Sequence, residues 1–201
     1  MKIGTKSILF GVHAFWLHPI LIAIGWWRLY GFPLDLRLWV AFFVHDLGYF
    51  GKPNMDGPEG EIHPEFGAAI MRRLFGDEWG DFCLLHSRYY AKRVGRPVSA
   101  LCHADKMVII LEPSWLYIPR CWLSGELQEF IDVARRRSAT RTGPSDNLSD
   151  AEREGLGSGN PWRWHRALKS YMRRWIAAHK DGATDTWTRV RNVEQEHING
   201  R

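Results

Sequence analysis

A histidine and an aspartate stand side by side at the end of an apolar run, Leu38-Trp39-Val40-Ala41-Phe42-Phe43-Val44-His45-Asp46, and Leu47-Gly48 follows them. The run reads as a buried helix. A buried helix that delivers two polar side chains inward must give them partners, because polar groups cost free energy away from water unless they are paired. Adjacent Cα atoms lie about 3.8 Å apart, so both side chains can reach one ion. The pair belongs to a spaced set of metal-ligand types, His18, His45, Asp46, His63, His86 and Asp105. Together these residues predict a metal-dependent enzyme, in a fold that gathers distant positions to one point.

Helical spacing dominates the rest of the chain. Apolar residues recur at intervals of three and four in Phe66, Ile70 and Leu74, and again in Phe82, Leu85 and Tyr89, whereas no stretch alternates as a strand would. Turn signals at Gly31-Phe32-Pro33, Gly51 to Gly60, Gly76-Asp77 and Gly95-Arg96-Pro97 divide residues 1–137 into about five helices. The expected fold class is all-α. Residues 138–160 are polar and glycine-rich and read as a flexible linker. From Pro161, the stripe Trp162, Leu168, Tyr171, Trp175 and Ile176 alternates with Arg163, Arg166, Lys169, Arg173 and Arg174, which predicts a basic amphipathic helix within a C-terminal segment, 161–201. Its tryptophans are expected to pack on the main domain and its charges to face water. Past Lys180 the chain is expected to fray.

With 201 residues, 45% of them hydrophobic, the chain is long enough for one well-filled core and too short for two independent domains. From Ile8 to Trp27 no residue is charged, long enough to raise the question of a membrane span. Pro19 and two histidines inside the stretch favour a buried core helix, so no membrane partner is expected. Cys83, Cys102 and Cys121 form no CxxC pair and suggest no disulfide framework, which fits a reducing, cytoplasmic setting. The net charge of +5 arises beyond residue 160, because acids and bases balance before it. The high pI therefore describes the tail and says little about what enters the site.

The ordered set His45-Asp46-Leu47-Gly48, His63-Pro64-Glu65-Phe66-Gly67-Ala68, His86 and Ala104-Asp105-Lys106 resembles the HD-domain superfamily of metal-dependent phosphohydrolases, over roughly residues 8–120. The resemblance implies an HD-type helical bundle over residues 1–137. It also implies that His18, His45, Asp46 and Asp105 bind one ion while His63 and His86 hold a second, with Asp46 between the two. Imidazole and carboxylate donors suit Mn, Fe, Co or Zn rather than calcium. His13 competes with His18 for the first position; if both lie on one helix, five residues apart, they point about 140° apart, and His18 is favoured. His103 could substitute for a ligand only in a strand-like conformation.

Basic residues near these motifs, Lys52, Arg88, Lys92, Arg93, Lys106 and Arg120, are candidates for meeting substrate phosphate, Lys52 and Arg88 foremost. The expected activity is metal-dependent hydrolysis of a phosphate ester or anhydride in a small phosphorylated substrate, a nucleotide by preference. Tyr49 stands where the cyclic-dinucleotide branch carries a lysine, and that branch's Gly-Tyr-Pro is missing, so cyclic-di-GMP is disfavoured. Two other readings use the same residues. One is a di-iron oxygenase cleaving C–C or C–P bonds; the other is a module with a structural metal that binds nucleic acid through residues 161–201.

Overall fold

The computed structural model describes residues 1–139 and 148–182. Among them the chain forms α1 (Ile3–Phe10), α2 (His18–Tyr30), α3 (Leu36–Val44), a 3-10 turn at Leu47–Tyr49, α4 (Pro58–Glu61), α5 (Pro64–Phe75), α6 (Asp77–Leu84), α7 (Arg88–Val94), α8 (Ala100–Leu111), α9 (Ser114–Ser124), α10 (Glu126–Ala139), α11 (Asp150–Gly157) and α12 (Pro161–His179), with no strand. The all-α expectation holds. The division is finer than about five helices because the breakers act individually. Gly76, at φ 93°, ends α5 and opens α6, a backbone conformation that only glycine adopts without strain.

One core packs Ile22 and Ala23 of α2, Leu38, Ala41 and Phe42 of α3, Ala68 and Met71 of α5, Cys83 of α6, and Leu101, Ala104 and Val108 of α8. The spacing Phe66, Ile70, Leu74 does not mark the buried face of α5: Phe66 and Leu74 are 56% and 57% exposed. Gly67, Ala68 and Met71 turn inward instead, because small residues let α5 approach α3 closely. Nor do Phe82, Leu85 and Tyr89 share a helix, since α6 stops at Leu84 and Ser87 caps α7, its side chain accepting from the Tyr90 N–H.

α2 is buried on one side only. His18, Pro19, Ile22, Ala23 and Gly25 face inward, while Ile20, Ile24 and Trp27 on the other face are exposed. The expectation of a wholly buried core helix is corrected accordingly. Among the described residues no helix is long and apolar enough to cross a membrane.

The stretch read as a linker contains the end of α10 and all of α11. Ser149 and Glu152 form a reciprocal capping box that starts α11, and this local signal outweighs the glycines around it. Residues 140–147 lie outside the described residues, as does the frayed tail expected beyond Lys180, apart from Asp181 and Gly182. Helix α12 closes a second core: Trp164 packs with Tyr117, Cys121, Ile131 and Leu156, and Trp175 with Cys102, Tyr171 and Met172. Trp162 remains half-exposed, and Arg163, Arg166 and Arg173 face water.

Candidate metal centre

The six ligand-type side chains come from five places in the chain and end up buried, none more than 7% exposed. His18 opens α2 with Pro19 behind it, where proline's missing N–H costs nothing. His45 and Asp46 follow α3, which starts at Asp35, whose carboxylate accepts from the Arg37 N–H at 2.9 Å. His63 precedes Pro64 at the start of α5, His86 lies in the break between α6 and α7, and Asp105 sits within α8.

Two glycines of the quoted motifs set the spacing. A Cβ on Gly48 would lie 2.0 Å from the His63 carbonyl oxygen, and one on Gly67 would lie 2.5 Å from the Val44 carbonyl oxygen and 2.8 Å from the His45 Cα. The start of α5 therefore rests directly on the His-Asp turn, which brings His63 within reach of Asp46.

The Asp46 carboxylate stands between two sets of rings. Its Oδ2 lies 3.1 Å from His18 Nε2 and 3.0 Å from His45 Nε2. Its Oδ1 lies 3.4 Å from both His63 Nε2 and His86 Nε2. Asp105 completes the first side, Oδ1 being 3.2 Å from His18 Nε2. Two groups of donors result, His18, His45, Asp46, Asp105 and Asp46, His63, His86, the donor atoms of each lying within 4.8 Å of one another.

The hydrogen bonds on the far side of the rings decide what these atoms can hold. Nδ1 of His45, His63 and His86 faces the carbonyl oxygens of Phe42, Gly60 and Cys83 at 3.1, 2.7 and 2.6 Å. A carbonyl only accepts, so each Nδ1 carries a proton and Nε2 is the atom left for a ligating lone pair. The His63 and His86 Nε2 atoms are 3.2 Å apart, both turned to the same oxygen of Asp46. On the other side, Nε2 of His18 and His45 and Oδ2 of Asp46 are buried without a hydrogen-bond partner among the described residues. Such a buried cluster of imidazole and carboxylate atoms could hold metal ions, with Asp46 belonging to both donor groups.

Titration behaviour follows the same field. Burial works against charge at His18, but the Asp105 and Asp46 carboxylates outweigh it and raise its pKa to about 9. Burial also opposes charge at Asp46, yet His45, His13 and His18 keep it ionised well below the usual carboxylate range. Asp105 is likewise held low, against burial, by Lys106 and His18. Burial pushes His63 down to about 4 and lowers His45, which leaves both rings neutral at physiological pH, the form that binds metal.

Several neighbours depart from the sequence reading. His13 is not on a helix with His18: α1 ends at Phe10, and His13 lies in the turn before α2. Its Nδ1 meets Ser7 Oγ at 2.8 Å and Glu126 Oε1 at 3.3 Å, and its Nε2 is 4.0 Å from Asp46 Oδ2. It therefore stands beside the centre, held by side chains and not by the backbone. Glu126, fully buried, also accepts from Ser7 and Ser124 hydroxyls and from the Val12 N–H, and so fixes the turn that carries His13. Nothing in the sequence singled out Glu126. Tyr49 stacks on His63, and the signal for it was present as the departure from the cyclic-dinucleotide pattern.

Of the cations, Arg88, Lys92 and Lys106 line a cavity of about 280 Å³ over the centre, together with Arg137, which the sequence reading passed over. Lys106 is tied to Asp105 at 2.8 Å. Arg88 donates toward the Tyr171 hydroxyl at 3.4 Å and lies over the Trp175 ring. Lys52 is not in the cavity wall; its carbonyl accepts from Gly4. Arg93 is exposed, over the Tyr90 ring. Arg120 is a structural ion pair, buried against Glu112 and the Val12 carbonyl. His103 turns away to Tyr30, its Nδ1 2.7 Å from the hydroxyl, as a helical α8 requires. No family model, curated protein or solved structure matches the chain.

Proposed function

We propose that the chain is a metal-dependent phosphohydrolase acting on a small phosphorylated compound, with one ion held by His18, His45, Asp46 and Asp105 and a second by Asp46, His63 and His86. The observation that carries this reading is the Asp46 carboxylate with imidazole Nε2 atoms against both of its oxygens. Ions bound there lower the pKa of water from 15.7 toward about 7 and neutralise charge on a phosphoryl group. The chain's own residues do the rest. Buried protons on Nδ1 lock the three rings in the ligating tautomer. Arg88, Lys92 and Arg137 in the cavity wall favour an anionic group over a neutral one, Arg88 and Arg137 offering a planar fork for phosphate oxygens. Water oxygen forms the new bond to phosphorus, the bridging P–O bond breaks, and the leaving oxygen takes up a proton.

Metal analysis of the purified protein, followed by phosphate release with Mn²⁺ or Co²⁺ in the absence of O₂, tests the proposal. Turnover under those conditions is expected. Iron-dependent O₂ consumption without phosphate release would replace the hydrolase by an oxygenase on the same ligands.

A further inference from the structure

A second cavity, of about 270 Å³, adjoins the one over the metal centre. The two share a wall made by His13, Tyr49, Asp56, Arg88, Asp105, Lys106 and Arg137. Beyond that wall the chamber changes character. Its far end is built from Val12, Phe130, Val133, Leu156, Leu168 and Met172, contributed by the turn before α2 and by α10, α11 and α12. Apart from the shared end, the lining side chains among the described residues offer polar atoms at His18, Tyr117, Trp164 and Tyr171, and the other lining side chains there are hydrocarbon or, at Met172, thioether. The C-terminal helices are thus the outer wall of a compartment that begins at the metal ligands.

From this juxtaposition we propose, resting on the phosphohydrolase reading above, that the substrate is a phosphate monoester of an aliphatic alcohol, its phosphate at the metal centre and its hydrocarbon in the chamber. A nucleotide fits the same walls poorly. Base edges and ribose hydroxyls would leave water for a far end of hydrocarbon side chains from Val12, Phe130, Val133, Leu156 and Leu168, and unpaired buried polar groups discriminate strongly against a ligand. A hydrocarbon loses nothing there and gains by leaving water. The chamber lies just below the ~300–1,000 Å³ typical of small-molecule sites, which points to a short or medium chain. Arg88 sits where the two compartments meet, its guanidinium over Trp175 and against Tyr171, so the change from charged to apolar surroundings occurs within one side chain's length.

The test is a series of n-alkyl phosphates from ethyl to decyl, compared with AMP, on the metal-loaded full chain. The kcat/KM is expected to rise about threefold to fourfold for each added methylene, the equivalent of ~0.8 kcal/mol, and to level off once the chamber is full. Ala134→Phe, which fills the chamber from α10, is expected to move that levelling to shorter chains. Binding of octylphosphonate and methylphosphonate, followed by tryptophan fluorescence with and without metal, gives a readout independent of turnover and of the variant's folding. The octyl compound should bind at least a hundredfold more tightly. If it does and no phosphate ester is hydrolysed under any metal, the chamber assignment stands and the hydrolase reading falls. If AMP and ethyl phosphate are hydrolysed while chain length changes neither kcat/KM nor phosphonate binding, the chamber assignment is overturned and the hydrolase reading stands. Equal binding of the two phosphonates overturns it in every case.

Discussion

Tyr49 lies flat on His63, ring centroids 3.8 Å apart and planes 14° from parallel. Together with the Nδ1 contact to the Gly60 carbonyl, this stack leaves His63 one orientation, with Nε2 toward Asp46. Burial and the nearby carboxylates push the Tyr49 phenol well above its ordinary range, so it remains neutral and acts through its ring. Tyr49→Ala is expected to weaken metal binding at the His63 and His86 side about tenfold, in the range seen when partners that orient ligands are removed. Tyr49→Phe should retain it. Calorimetric titration with Mn²⁺ or Co²⁺ separates the two variants, and equal loss in both would place the effect in the hydroxyl.

Asp46 serves both donor groups, whereas His86 serves one. Asp46→Ala should therefore remove essentially all bound metal and all turnover, and His86→Ala about half of the metal, since loss of one ligand from a small set usually empties its ion. Elemental analysis at matched protein concentration decides this. Wild-type metal content in Asp46→Ala would mean that the ions lie elsewhere.

The residues of the centre were legible in the sequence because buried histidines and aspartates, six of them converging, have few other uses. The packing that aims them was less so. Large apolar residues carry the periodic signal, and in α5 they face water at Phe66 and Leu74, while the approach to α3 depends on Gly67 and Ala68, which contribute almost nothing to a hydrophobic pattern. His13 and His18 do not share one continuous helix. Gly11 ends α1 instead and holds its turn against Glu126, a contact between residues far apart in sequence that no local pattern records. In the glycine-rich stretch, the Ser149-x-x-Glu152 pair was the informative signal, and composition obscured it.

Arg88 lines both cavities and belongs to neither donor group. Arg88→Ala is expected to lower kcat/KM for a phosphate ester by roughly 10- to 100-fold, the loss of about 1.4–2.8 kcal/mol of interaction with substrate oxygens, without lowering metal content. Kinetics and elemental analysis on the same preparation test it. Unchanged kcat/KM with metal retained would reduce Arg88 to its contacts with Tyr171 and Trp175.

Removing residues 138–201 strips Trp164 and Trp175, each at most 5% exposed, from the faces of α8, α9 and α10. A glycine-rich linker would predict a soluble core after truncation at Arg137, but the packing predicts the opposite. Burying each tryptophan contributes several kcal/mol, on the order of 3–5 for loss of a large aromatic. The truncated chain is expected to aggregate or to unfold at much lower denaturant. A monodisperse, metal-binding product in size-exclusion chromatography would show that α12 is an independent appendage.

The buried histidines give stability a two-sided dependence on pH. Burial, aided by positive neighbours, pushes His103 and His165 from 6.5 to about 4, and burial takes His63 to the same level. The folded state keeps them neutral while the unfolded chain binds protons below 6.5, so their contribution is complete above 6.5 and is lost as pH falls toward 4, on the order of 1–3 kcal/mol per histidine. The lowered carboxylates Asp46 and Asp105 extend this loss to still lower pH. His18 has the opposite sign: raised to about 9, it stabilises the metal-free fold fully below 6.5 and loses that contribution as pH rises through 9. The metal-free protein should therefore be most stable near pH 6.5, with losses on both sides. Metal displaces the His18 proton and should abolish the alkaline loss. Urea unfolding from pH 4.5 to 9, with and without chelator, measures both limbs. His165→Gln should flatten the acid limb while leaving the alkaline one in place, and an acid limb of unchanged slope in that variant would remove His165 from the explanation.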